Sequence, residues 1–264
     1  MKPTSLFFLC FLIFYSSFAQ TSRVANRWSY KTAFLMPTGR WESGLFQPFR
    51  FGINQKMEIS ANILLMPLMP NVGIKIGLGE RSGFNLASEH SLSVPSVFLN
   101  TVSRKGTGGL LSPEFDFPLI LGVNNSIIAS KPVFRSAIFS LESCYFLAIR
   151  SGKVDPLATI DLPLFYPRMA QYYKGTSIRL ASSLKGSICT RLDYQEGIQL
   201  FIATRKESNF NIENTGGLLW SIGRSLRIKG GYILTYGKYP FGNHWQLWPT
   251  FDLIFGRLQA AKMK

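Results

Sequence analysis

Apolar and polar residues alternate with a period of two through most of this chain. Between Phe49 and Gly79 three such runs follow one another. In the first, Phe49, Phe51 and Ile53 alternate with Arg50, Gly52 and Asn54; in the second, Met57, Ile59, Ala61 and Ile63 alternate with Glu58, Ser60 and Asn62. In the third, Val72, Ile74, Ile76 and Leu78 alternate with Gly73, Lys75, Gly77 and Gly79. Successive side chains on a strand point to opposite faces, so each run reads as a strand with one oily and one wet face.

The same period predicts further strands over residues 28–36, 84–99, 110–123, 127–136, 137–150, 157–166, 175–184, 188–205, 214–222, 226–236 and 245–255. Tight turns are expected at residues 55–56, 124–126, 185–187 and 223–225, and longer loops at 100–109, 206–213 and 238–243. The expected fold class is all-β, an antiparallel up-and-down barrel of about 12 strands (range 10–14), many near the ~9–11 residues that let a tilted strand cross a bilayer. Short turns at one end and longer loops at the other suit a transmembrane barrel. A soluble exported β-sandwich is the alternative.

Ahead of the strands, Met1 and Lys2 give a positive end, residues 6–15 an apolar core and Ala19 a cleavage point. Residues 1–19 therefore read as a secretory signal peptide, since the apolar core falls short of the ~20 residues of a membrane-spanning helix. Residues 20–264 are expected to form one domain.

Composition sharpens the choice. Lys and Arg number 29 against 14 Asp and Glu, a net charge of +15. Export removes nucleic acid as the partner, and the cations are scattered rather than run together. A basic exported surface suits anionic lipid head groups, lipopolysaccharide or an anionic solute. Charged residues make up only 16% and aromatics 14%, against about 25% charged in an average soluble domain. Such a balance suits a wall that faces lipid. Cys144 and Cys189 could pair or stand as separate thiols. No spacing of metal ligands, nucleotide loop or haem motif occurs, so no metal and no cofactor are expected.

The leader, alternating segments such as NVGIKIGLG and LRIKGGYILTYG, and the closing WQLWPTFDLIF together resemble the outer-membrane β-barrel proteins of Gram-negative bacteria. The likeness spans essentially all of residues 20–264. It implies an outer-membrane location, contact with outer-membrane lipid and lipopolysaccharide, and delivery by the barrel-assembly machinery, with Phe255 as the terminal aromatic that this machinery reads.

Arg50, Lys75, Arg179, Arg191, Arg227 and Lys229 fall on the polar faces and become the candidate ligand-binding residues of the lumen. They would favour anions in a pore, or they would pair with Glu58, Glu114, Asp116, Asp161 and Asp252 as a salt-bridged filling. The expected function is a non-enzymatic pore, transport or binding protein for small or anionic molecules, or a structural membrane component. The alternative is a lipid-modifying esterase with His90 or His244 as base. His90 and its neighbour Ser91 would point to opposite faces, so no catalytic residue is assigned.

Overall fold

The computed structural model describes residues 29–104, 111–134, 137–203, 210–223, 225–239 and 242–256. The proposed leader, Trp28 and residues 257–264 lie outside these. Twelve antiparallel strands close into one barrel in simple up-and-down order. They are β1 (Trp41–Gly44), β2 (Phe49–Asn54), β3 (Met57–Ala61), β4 (Asn71–Arg81), β5 (Phe84–Ser93), β6 (Ile120–Val133), β7 (Ala137–Arg150), β8 (Thr176–Cys189), β9 (Leu192–Ala203), β10 (Phe210–Ile222), β11 (Leu226–Tyr239) and β12 (Gly242–Gly256). Closure removes the sandwich alternative, because a sandwich keeps open edges and the ring has β1 paired to both β2 and β12.

The oily faces point outward. Val72, Leu78, Ile127, Leu141, Leu180, Leu218, Leu247 and Phe251 are all exposed on the outer wall. Glu58, Lys75, Ser126, Ser140, Lys185, Asp193, Glu213 and Asp252 are buried within. A water-soluble barrel would reverse this order. Trp41 and Trp220 stand outward near the short-turn end, and Tyr236 packs against Trp245 near the other, with ring centres 4.7 Å apart and planes tilted by 41°. Tyr166, Tyr172 and Tyr173 are buried away from the outer wall.

The connections at 55–56, 82–83, 134–136, 190–191 and 223–225 are all short and share one end; the other end carries the short connections 45–48 and 240–241 and the long segments 62–70, 94–119 and 151–175. Those last two segments contain short helices α1 (Ser96–Val102) and α2 (Ala170–Lys174) and fold inward as an apolar cap. Phe98, Leu99, Phe117, Tyr166, Met169 and Tyr172 form its buried centre.

Several expected boundaries shift. Residues 124–126 are no turn; they sit midway along β6, where Asn124 faces inward to donate to Ser91 Oγ at 3.2 Å. Residues 185–187 lie inside β8, and the chain reverses at 190–191 instead. Gly186 is there for room rather than for turning: a Cβ would come within 2.5 Å of the Tyr194 ring across the ladder. The strand expected over 157–166 is cap, with one isolated bridge between Leu162 and Tyr166. β6 begins only at Ile120, and β5 stops at Ser93, where Pro95 opens the turn into α1. Residues 29–36 form no strand; they run through the lumen.

Candidate functional site

The lumen is filled from both ends. From the short-turn end, residues 29–39 thread inside the barrel and are held by the charges of the wall. Lys75 Nζ donates to the carbonyls of Ser29 (3.1 Å), Thr32 (3.1 Å) and Phe34 (3.0 Å) and pairs with Glu58 at 3.2 Å. Glu58 Oε2 accepts from the Met36 N–H at 2.6 Å, and Ser130 Oγ accepts from the Ala33 N–H at 2.8 Å. Arg50 reaches Glu42 and Glu58, both at 2.7 Å, and the Ser29 hydroxyl at 3.1 Å. Gly52 is needed where this segment passes, since a Cβ would meet the Pro37 carbonyl at 2.4 Å.

From the other end the cap is clamped by Arg168. Its guanidinium bridges Asp161 (3.0 Å) and Glu213 (3.1 Å) and lies 4.8 Å over the Phe201 ring. Asp161 also accepts from the Met169 N–H and the Tyr239 hydroxyl, both at 2.8 Å. Burial holds the phenol of Tyr166 well above its ordinary value and raises that of Tyr172.

Among the cavities between plug, cap and wall, two stand out. The larger, about 310 Å³, is lined by Arg50, Lys75, Arg179 and Glu142 and by Phe46 and Phe165. The smaller, about 170 Å³, is lined by Lys31, Lys185 and Lys229, by Gln195, Gln199 and Thr250, and by the carboxylates of Glu142, Glu196, Glu213 and Asp252. Tyr30, Lys31 and Phe46 touch both.

The cations divide into two groups. Arg50, Lys75 and Arg179 are spent on carboxylates, Arg179 on Glu142, which also accepts from Ser126 Oγ at 3.0 Å. Lys31, Lys185 and Lys229 differ: among the described residues none of the three makes an ion pair. Lys185 Nζ donates to the Tyr30 carbonyl, and the charges of Lys31, Lys229, Arg50 and Lys75 all bear on it. The nearby carboxylates already hold other donors, though Asp252 stands opposite Lys229 across the ladder: Glu142 holds Arg179, and Glu196 accepts from Asn214 Nδ2 at 2.6 Å and the Tyr232 hydroxyl at 3.3 Å. Glu213 holds Arg168, and Asp252 accepts three backbone N–H groups, from Leu45 (2.7 Å), Phe46 (3.2 Å) and Gln47 (2.8 Å). An anion between the three lysines would supply the charge they lack.

Of the six candidate residues, Arg50, Lys75, Arg179, Arg227 and Lys229 face inward, and Arg191 stands exposed in the turn at 190–191. Only Lys229 belongs to the lysine cluster. Lys31 escaped notice because its stretch reads as a strand, and Lys185 because it sits beside a glycine that imitates a turn. His90 faces outward and its Nδ1 lies 2.8 Å from Asn125 Oδ1, while Ser91 faces the lumen. Glu114 and Asp116 lie in the cap segment, away from the strands. Cys144 is buried and Cys189 exposed, each a free thiol.

Neither a protein-family model nor a curated protein sequence matches this chain.

Proposed function

We propose that this protein is an integral outer-membrane β-barrel whose closed lumen binds a small anion at Lys31, Lys185 and Lys229. The apolar outer wall and the single-ended distribution of long loops support the membrane reading. The anion reading is carried by one observation, three lysines without an ion pair lining one cavity, where Glu142 and Glu213 are held by arginines and Asp252 and Glu196 by hydrogen bonds. Passage of solutes along the axis is disfavoured, since plug and cap both lie across it.

Equilibrium dialysis of inorganic phosphate against the protein in neutral phosphatidylcholine nanodiscs tests this. Saturable uptake that weakens by about tenfold or more in Lys229→Met and in Lys31→Met is expected, at the scale of one charged hydrogen bond. Uptake that is absent, or equal in all three proteins, would remove the anion reading.

A further inference from the structure

We infer that the anion bound in the lumen carries a hydrocarbon chain, and that it enters sideways through a gap in the barrel wall above β1–β3. This deepens the reading of a membrane barrel with a lysine pocket and rests on it.

The gap follows from strand lengths. β1, β2 and β3 have 4, 6 and 5 residues, against 10 to 15 in the other nine. At ~3.3 Å per residue and a ~40° tilt, they raise the wall by only about 10–15 Å. The apolar belt of such barrels is ~25 Å tall. β1 pairs with Ile254, Phe255 and Gly256 alone, so on that side residues 242–253 of β12 have no strand partner among the described residues. On the far side of the gap only Asn71 and Val72 of β4 rise past the last β3 pair, Ser60 with Gly73, so the long unpaired edge is that of β12. An unpaired edge in hydrocarbon is costly, so the missing wall needs a substitute.

Residues 62–70 stand at the top of β3 and have the composition of one. Leu65 and Met69 turn inward into the cap, while Ile63 (57% exposed), Leu64 (54%), Met66 and Leu68 face out. This apolar flap is not part of the ladder. Amide side chains fasten it: Asn71 Oδ1 accepts from the Asn62 N–H at 2.5 Å, Asn71 Nδ2 donates to the Met69 carbonyl at 2.8 Å, and Asn62 Nδ2 donates to the Phe46 carbonyl at 3.1 Å. With Asn62 Oδ1 accepting from the Leu65 N–H at 3.3 Å and turn bonds inside the flap, these two side chains give a lighter fastening than a full strand ladder.

Behind the flap the lining changes character. Phe46, in the turn between β1 and β2, packs edge-on against Phe165 of the cap at 6.1 Å and borders both cavities. Leu65, Met69 and Phe165 line the larger cavity on the gap side. Along the cap side of that cavity, from the flap past Phe165 and Phe46 to the lysines, the lining is apolar first and cationic last, while the opposite wall carries Arg50, Glu58, Lys75, Glu142 and Arg179. That order suits a single-chain amphiphile with an anionic head group: the head meets Lys31, Lys185 and Lys229, and the chain lies past Phe46 towards the flap. Inorganic phosphate satisfies only the head, and a neutral alcohol only the chain.

The test compares decyl phosphate, inorganic phosphate and decanol on the full chain in neutral nanodiscs. Decyl phosphate should bind at least about a hundredfold more tightly than phosphate, given the gain per buried methylene. The Lys31→Met/Lys229→Met double variant should lose about tenfold or more for decyl phosphate and leave decanol partition unchanged. Asn71→Ala, with Asn62→Ala as a second variant, should hasten decyl phosphate association severalfold and leave phosphate alone; the shift in gel mobility on boiling reports that each variant has folded. Decyl phosphate binding no tighter than phosphate, or a rate indifferent to both Asn variants, overturns the inference while the anion pocket stands. Phosphate binding that ignores the lysines removes the pocket, and the inference with it.

Discussion

Arg168 is buried to 2% exposure with two carboxylates, and its removal would strand both. Breaking a buried pair by deleting one partner costs about 3–5 kcal/mol, more than the pair itself contributes. Arg168→Met should therefore lower the melting temperature clearly in a thermal scan, and Arg168→Met/Glu213→Gln should recover part of the loss. The cap also carries a pH dependence. A buried phenol whose folded value lies above its unfolded value near 10 stabilises the fold fully below pH 10. That stability is lost as pH rises past 10 and on through the folded values of Tyr166 and Tyr172. Denaturation followed across alkaline pH should show the fall, and Tyr166→Phe, which also gives up the 2.6 Å bond to the Ile160 carbonyl, should flatten it.

At the scale of the strand, the outer wall makes a sharp distinction between solvents. Leu180 lies near the middle of β8 on the outward face. In a bilayer Leu180→Arg should cost about 2–4 kcal/mol, measured by urea titration of folding into liposomes. An exposed position in water would tolerate the change within about 0.5 kcal/mol. The faces and the hairpins from β9 onward were legible in the sequence because a period of two survives wherever one side meets oil and the other meets water. Legibility failed where glycine and asparagine serve packing instead of turning, as at Gly186 beneath Tyr194 and at Asn124 beside Ser91. It failed again in the cap, where residues 157–166 alternate by composition but pack as irregular chain around Tyr166. The pairing of Lys75 with the carbonyls of residues 29–34 joins positions more than forty apart, and no local pattern carries such information. For the same reason the lysine cluster was only one-third visible.

For the whole molecule, plug and cap make the barrel a vessel rather than a pipe. Planar-bilayer recordings of the wild type should show no steady conductance. Lys75→Met removes the cation that gathers Ser29, Thr32 and Phe34 and leaves Arg50 as the one cation paired with Glu58, so open events should appear. An unchanged silent trace in a folded Lys75→Met protein would mean that the cap by itself seals the lumen.

The brevity of β1 has one more consequence, for the order in which the ring is made and unmade. Eleven of the twelve joints connect neighbours in sequence, whereas the twelfth ties residues 42–44 to residues 254–256, the two ends of the barrel, through three register positions. Such a joint is the last that synthesis can complete, and at three positions it has the fewest rungs after the two-position joint of β1 with β2. Amide hydrogens at Ser43 and Phe255 should exchange before those of the β10–β11 hairpin, which has twelve rungs. Whatever loosens the vessel will start its work at that seam.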